Sequence, residues 1–440
     1  MPATPSTARA INDRLALSLF QREGPLTAAQ LKQFTGLSRP SVADLVERLT
    51  AAGLIEVVGE AGEQRRGPNA KLYGIVAGLA HLAALDVRTE GVSVLVSDLV
   101  GGVLAEASGP IRDDAGTGPA VEQAVALVEQ AAKEAGADRL HTVGIGAPGL
   151  IDPASGDLRD SGGLPAWHRR LMAAVQERFP ESRVSVENET NLAALAEQRD
   201  GAARDRDTFV LLWLDLGIGA ALVLDGTLRR GASGGAGEVG FLPVPGTTGL
   251  PSATDCDGGF HSLASASAIV ALAAEHGLTL PHGDRAAPSD PTHAPDLVRA
   301  ATHASDLVRA ATHAPDSVRA AMHGPDPVRA ATYAPALVRA AAHGTDPAAG
   351  RFLDALADRV ALGVAAVVSV LDPGCVVLAG EVGRAGGDVL AGRVHRALAR
   401  MSPLPTEVRA GLLGGEAVLR GALLTARDRA QDELFTPPGS

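Results

Sequence analysis

Residues 27–54 read TAAQLKQFTGLSRPSVADLVERLTAAGL. Thr27 and Gln30 stand at capping-box spacing, which predicts a short helix from residue 28 that a tight turn at Gly36 ends. Ser38 can cap the next helix, whose Val42, Leu45, Val46 and Leu49 share one face and whose Pro40 is confined to the first turn. Ser38, Arg39 and Ser41 then project from its leading end. Upstream, residues 8–22 place Ile11, Leu15 and Leu19 at fourfold spacing, the apolar stripe expected of a first helix. Downstream, LIEVVGE and KLYGIV are β-prone runs joined by AGEQRRGPNA, a turn-rich segment that carries Arg65 and Arg66. Helix, helix, helix and hairpin in that order predicts a winged helix-turn-helix over residues 1–78. Such a recognition helix enters the major groove N-terminus first, where side chains meet base edges and the positive helix end meets phosphate. Thr27, Ser38, Arg39, Ser41 and, on the wing, Arg65 and Arg66 are therefore the candidate contacts to double-stranded DNA, with Arg39 the first choice for a base. The competing reading is a small three-helix module that binds another protein.

The chain has 440 residues, enough for two or three cores, and 46% of them are apolar. Its net charge is −12, yet residues 1–78 hold nine Lys and Arg against seven Asp and Glu, a balance of +2 that leaves −14 on the rest. A mildly basic head on an acidic body fits a protein that touches phosphate at one end. No run approaches the roughly 20 apolar residues that span a bilayer, and the N-terminal stretch lacks a basic region followed by an apolar block. A cytoplasmic protein without a membrane partner is expected. Two cysteines, Cys256 and Cys375, are too few for a disulfide framework and read as small buried hydrophobes.

From His81 the pattern changes to strands: HLAALDVR, GVSVLVSD and GGVLAEA, then the helical AVEQAVALVEQAAKEAG and the strand TVGIG. A second set of strands, RVSVEN, TFVLLWLDLG and GAALVLDG, makes the body α/β with two lobes around a cleft. Six ordered stretches carry a resemblance: VGIGAPGLID at 143–152, LPAW at 164–167, VENETNLAALAE at 186–197, DLGIGAALVLDG at 215–226, GASGGAGEVG at 231–240 and LDPGCVVLAGEVG at 371–383. Together they resemble the ROK family of repressors and sugar kinases. The resemblance implies a two-lobed actin-like ATPase fold with sugar in the cleft, repressor function where a winged helix precedes it, and a homodimer or higher homo-oligomer. On this basis residues 79–203 are expected to form the first lobe and 204–430 the second, with the terminal helix returning to the first and residues 431–440 as a tail.

The same resemblance allows the kinase chemistry to be checked residue by residue. Phosphoryl transfer to a sugar needs a base on the hydroxyl, amides around the nucleotide phosphates, and a metal. The base position is Glu189, a carboxylate one methylene longer than the family's aspartate. The first phosphate motif reads Asp86-Val87-Arg88-Thr89-Glu90, with Arg88 and Thr89 in place of two glycines, so side chains fill the space that backbone should share with phosphate. The family's zinc ligands are replaced too: Phe241 stands at the histidine position, and Cys256 alone remains of three cysteines. No catalysis, cofactor or metal is expected. Gly149, Asn188, Glu189, Glu238 and His261 are the candidate contacts to a sugar or sugar-phosphate effector, with Asn188 and Glu238 alternatively satisfying backbone at the cleft edge. Three functions stay open: a regulator that represses carbohydrate-related genes; an active sugar kinase with a regulatory head; and a DNA-binding protein that needs no ligand.

Residues 285–348 contain a decapeptide repeat in which Arg299, Arg309, Arg319, Arg329 and Arg339 keep strict register. Ten residues are about 2.8 helical turns, so apolar positions drift around a helix, and prolines interrupt most units. The segment is expected to be a tandemly expanded surface loop, flexible or in short helical turns, whose residues 300–339 can be deleted with folding and operator binding nearly intact. His293, His303, His313, His323 and His343 lack the short pairing of zinc sites, and Tyr333 breaks the series.

Overall fold

The computed structural model describes residues 5–61, 70–89, 91–111, 116–159, 164–247, 249–252, 258–278 and 327–435. Arg65, Arg66, Cys256 and the repeat units before residue 327 lie outside the described residues.

The head begins with α1 (Pro5–Glu23), β1 (Leu26–Thr27), α2 (Ala28–Thr35) and α3 (Arg39–Ala51), followed by β2 (Ile55–Ala61) and β3 (Ala70–Ile75). Strands β1, β3 and β2 form a small antiparallel sheet. The capping box is present as expected: the Thr27 hydroxyl accepts from the Gln30 amide while the Gln30 side chain accepts from the Thr27 amide. Gly36 closes α2 with a left-handed φ of 70°, a conformation that costs a side chain about 1 kcal/mol or more. Val42, Leu45, Val46 and Leu49 are the buried face of α3. The stripe assigned to α1 is corrected in part. Leu19 is buried as expected, but Ile11 and Leu15 are exposed, and Ala16, Leu17 and Phe20 enter the core in their place. The run LALSLF holds apolar residues on several flanks, so helical period alone does not choose the face; burial of Ala16, Leu17, Leu19 and Phe20 in the core shared with α2, α3 and the body chooses it, and Asp13 and Arg14 on the other flank pair with Arg48 (2.6 Å) and Asp432 (2.6 Å).

The body contains two five-stranded sheets of matching design. The first is built from β4 (His81–Arg88), β5 (Gly91–Asp98), β6 (Val103–Pro110), β7 (Thr142–Ala147) and β8 (Arg183–Asn188), in the order β6-β5-β4-β7-β8. The second uses β9 (Phe209–Leu214), β10 (Ile218–Leu224), β11 (Thr227–Arg229), β12 (Cys375–Ala379) and β13 (Glu407–Ala410), in the order β11-β10-β9-β12-β13. In each, three antiparallel strands are extended by two parallel ones. RVSVEN, read with the second set, is β8 and pairs with β7 of the first sheet. Its parallel register places Asn188 opposite Ala147, next to the turn that carries Gly149.

The helices between these strands are α4 (Thr117–Glu134), α5 (Ala166–Arg178), α6 (Glu189–Asp200), α7 (His261–Ala264), α8 (Ala266–Glu275), α9 (Pro327–His343), α10 (Pro347–Leu371), α11 (Gly380–Met401) and α12 (Ala417–Leu434). Alternation along β9 assigns its two faces. Val210, Leu212 and Leu214 join a core with α8, α9, α10 and α11, whereas Phe209, Leu211 and Trp213 join a central core shared with α6, α12 and the head. Helices α4 and α5 cover the outer face of the first sheet. Cys375 is buried in β12, as expected of a small hydrophobe.

Helix α9 overturns the reading of the whole repeat as a surface loop. Its Ala330, Ala334, Leu337, Val338 and Ala341 are buried against the second lobe's core. Each ten-residue unit rotates the pattern by only about 80°, so two adjacent units supply one continuous stripe over a helix of this length. Pro335 lies inside the helix without ending it. Leu337→Ala should therefore lower unfolding free energy by about 2–5 kcal/mol in chemical denaturation. Removal of residues 327–343 should abolish recovery of folded protein; full retention of the denaturation midpoint on that deletion would exclude α9 from the core.

Candidate functional sites

At the leading end of α3, Ser38 adopts extended backbone (φ −69°, ψ 156°) and its hydroxyl accepts from the Ser41 amide at 3.3 Å. The Ser38 and Ser41 hydroxyls lie 2.8 Å apart, and Ser38, Arg39 and Ser41 are all exposed. Arg48 pairs with Asp13 and holds the other end of α3 on α1, leaving the Arg39 end facing outward. Thr27 is placed differently from these: it is 7% exposed, and its hydroxyl is engaged twice by Gln30. Its local role is to cap α2.

The cleft between the sheets is built from strand ends and helix starts. Asn188 is the N-cap of α6; its Oδ1 accepts from the amides of Thr190 (2.9 Å) and Asn191 (3.3 Å). Its Nδ2 donates to the Gly149 carbonyl (3.0 Å) and to Glu189 (2.8 Å), so Gly149, Asn188 and Glu189 form one connected group. Glu187 accepts from the Asn191 side chain at 3.0 Å and from Arg230 at 2.6 Å. Glu238 follows Gly237, which has φ 96° and lies so close to β10 that an added Cβ would stand 1.9 Å from the Ala220 carbonyl oxygen. Only glycine permits that approach, and it sets Glu238 on the open side of the cleft. Glu189 has its carboxyl pushed up to about 8, first by burial and then by the charges of Glu238, Asp86 and Asp215.

His261 is the first residue of α7 and is 5% exposed. Its ring stands edge-on to Phe241, 5.2 Å between centroids, and fits because residue 240 is glycine, where a Cβ would meet the ring at 2.1 Å. Among the described residues its Nδ1 has no hydrogen-bond partner, and no hydrogen bond joins it to Asn188, Glu189 or Glu238. Burial lowers its pKa below the usual histidine range. No group of three or more His, Cys, Asp and Glu among the described residues is arranged to hold a metal ion, and no described helix is long and apolar enough to cross a membrane.

Further residues join the site without having been singled out as contacts. Arg88 donates to Asp86 at 3.0 Å and to the Gly415 carbonyl at 3.1 Å, reaching from the end of β4 to the turn before α12. Asp215, pushed up to about 6 by burial, accepts from the amides of Leu216 (2.9 Å) and Glu381. His168, beside Trp167 on α5, is buried next to the Arg88 backbone and lines a cavity of about 130 Å³ with Val87, Ile145, Leu171 and Val186. Burial depresses its pKa to about 4. The LPAW stretch marked this neighbourhood; nothing in the sequence marked His168 itself.

The raised pKa of Glu189 has a sign. Between the ordinary glutamate range and about pH 8 the native chain retains a proton that the unfolded chain has lost, so stability falls as pH rises through that window. Glu189→Gln removes this contribution. The stability of the variant minus that of the parent should grow from pH 5 to pH 8 and then level off; a difference independent of pH in denaturant titrations would show that Glu189 ionises normally.

Comparison with known proteins is consistent with this architecture. The ROK family profile matches residues 91–429, and a MarR family profile matches residues 11–67. The xylose repressor of Caldicellulosiruptor bescii is 25% identical over 236 residues, covering 53% of this chain and 59% of that protein. The DNA-binding transcriptional dual regulator NagC of Escherichia coli is 25% identical over 242 residues, covering 53% of this chain and 57% of that protein. The match thus spans under two thirds of these relatives' length. A crystal structure of a ROK family transcriptional regulator, a homologue of the Escherichia coli MLC protein, aligns over 97% of this chain and 98% of that one, with a TM-score of 0.67 at 20% identity. With a family profile covering residues 91–429, more than half of the chain, the chain belongs to the ROK family, in the form that carries a winged helix ahead of an actin-like body.

Proposed function

We propose that this protein is a sequence-specific DNA-binding repressor of carbohydrate-related genes, acting as a homodimer, whose cleft binds a sugar-related effector without phosphorylating it. The observation that carries the reading is the exposed leading end of α3, with Ser38, Arg39 and Ser41 presented outward on a body of the ROK type. Two copies would place two such ends on successive half-sites of a palindromic operator. The relatives named for repression of xylose genes and for NagC support the carbohydrate link.

The chain also offers a route from cleft to head. Helix α6 starts at the cleft and ends near Arg199, which pairs with Asp428 of α12 at 2.9 Å. The other oxygen of Asp428 accepts from Gln21 of α1 at 3.2 Å. A ligand that shifts α6 against α12 would thereby change the seat of the head; this is coupling through a shared contact.

Against catalysis stand two features of the cleft. A protonated Glu189 is a poor base at neutral pH, and the Arg88 side chain occupies the motif at which kinases of the family hold phosphate. The carboxylate kept at Glu189 favours the kinase reading, and the engagement of Asn188 by its own backbone favours a ligand-independent one. ATP consumption with a hexose, abolished by Glu189→Ala, would establish the kinase.

Arg39→Ala should weaken binding to a mapped genomic site by about 1–3 kcal/mol at fixed salt and relax the preference at one base pair. An unchanged affinity would remove Arg39 from the interface. Asp428→Ala should keep sugar and operator affinity each within about threefold while reducing the effect of one on the other. Undiminished linkage in that variant would eliminate this route.

A further inference from the structure

We infer that the seat of α9 on the second lobe recognises the repeat unit itself, and that residues 297–313 are a second occupant that fills it whenever they run directly into Gly344.

The seat is built by α8, α10 and α11, against which α9 packs. It takes from α9 the stripe Ala330, Ala334, Leu337, Val338 and Ala341. Such a stripe is defined by residue type and helical period, and neither belongs to one copy of the repeat. Residues 297–313 read LVRAATHASDLVRAATH, and their Ala300, Ala304, Leu307, Val308 and Ala311 match the five buried residues in type and spacing. The two segments differ at five positions. Pro327 at the helix start is Leu297, the exposed Tyr333 is His303, and the half-buried Ala336 and Ala342 are Asp306 and Thr312. The fifth, Pro335, is buried and corresponds to Ser305. Serine restores the backbone N–H that proline lacks, and its hydroxyl can donate to the carbonyl four residues back, so the exchange leaves no polar group stranded.

The windows in between do not match. Ten residues upstream of α9 the five positions read Ala320, Gly324, Pro327, Val328 and Ala331, with proline where the leucine is buried. Twenty residues upstream they read Ala310, Ala314, Ser317, Val318 and Ala321, with serine at that place. Proline there loses the packing and a helix hydrogen bond together, whereas serine loses the packing.

Phase matters because α9 joins α10 through Gly344, Thr345 and Asp346 alone. The Gly344 amide donates to the Ala341 carbonyl at 3.3 Å, and the Asp346 side chain caps α10 at the Ala348 amide. A stripe that reached the seat across added residues would lose this join and would have a longer link to close. At the other end length is not limiting. Residues 279–296, which would connect α8 to the second occupant, extend to about 60 Å, far more than the separation of two helices in contact.

The test is a set of deletions in the full-length chain, read by thermal unfolding. Removal of 334–343 brings the first intermediate window to Gly344, removal of 324–343 the second, and removal of 314–343 brings residues 297–313. The expected order does not follow the number of residues removed. The ten-residue deletion should be the least stable or fail to fold, the twenty-residue deletion should be intermediate, and the thirty-residue deletion should return to within about 3 °C of the parent's Tm. Removal of 327–343 is out of phase and brings no such stripe to Gly344. In the thirty-residue deletion Leu307→Ala should lower Tm by about 5 °C, because Leu307 then takes the place of Leu337. The same substitution in the parent should leave Tm unchanged. A thirty-residue deletion that does not fold, or a Tm that falls steadily with the number of residues removed, overturns the inference. So does a thirty-residue deletion that folds but is indifferent to Leu307→Ala, since its seat is then not filled by residues 297–313. A parent destabilised by Leu307→Ala as strongly as by Leu337→Ala also overturns it, because residues 297–313 would then already be packed elsewhere in the core.

Discussion

The backbone contact of α12 with α6 and β7 is the constraint on which the rest of the molecule depends. Gly421 of α12 lies so close to α6 that a Cβ there would stand 2.1 Å from the Leu192 carbonyl oxygen, and Gly144 of β7 approaches the Ala422 carbonyl in the same way, at 2.5 Å. Bare backbone on both sides lets the last helix of the chain settle onto the first sheet while its start stays beside the second. A Cβ at either position would force the helices apart by an ångström or more, and close-packed interiors do not absorb such a shift.

From that seat α12 organises three parts at once. Its N-terminal side follows the turn whose Gly415 carbonyl receives Arg88, so the first sheet is tied to the approach of the last helix. Its middle packs on α6, the helix capped by Asn188 in the cleft. Its C-terminal side carries Asp428 and Asp432, which meet Gln21 and Arg14 of the head. These surface pairs are each worth about 1 kcal/mol or less. Their importance is geometric, because they fix where the head sits on a helix that the cleft also touches.

The cleft gathers carboxylates whose mutual repulsion and burial keep protons bound. Such a site is costly to build, and here Asp86 has Arg88, Glu187 has Arg230 and Asp215 has backbone amides, while Glu189 retains its proton. The arrangement differs from one that uses free cations and helix N-termini to receive an anion. It is an acid-rich surface whose cations are already engaged.

Local chemistry in the sequence was sufficient for the caps of α2 and α3, the buried face of α3, the wing strands and strands β4 to β10, since a cap or a period-two run depends on residues within one turn or strand; β11, β12 and β13 were not read as strands. The ordered motifs likewise placed Asn188, Glu189 and Glu238 around one cleft. Tertiary contacts decided what those rules left degenerate: which flank of α1 is buried, which sheet receives β8, and whether repeat units at 327–343 face water or the second lobe's core. They also decided the partners of Arg88 and Arg230 and the burial of His168, because each depends on chain segments far away in sequence. A residue's own neighbours set its conformation, whereas its charge state and its company are set by whatever the folded chain brings against it.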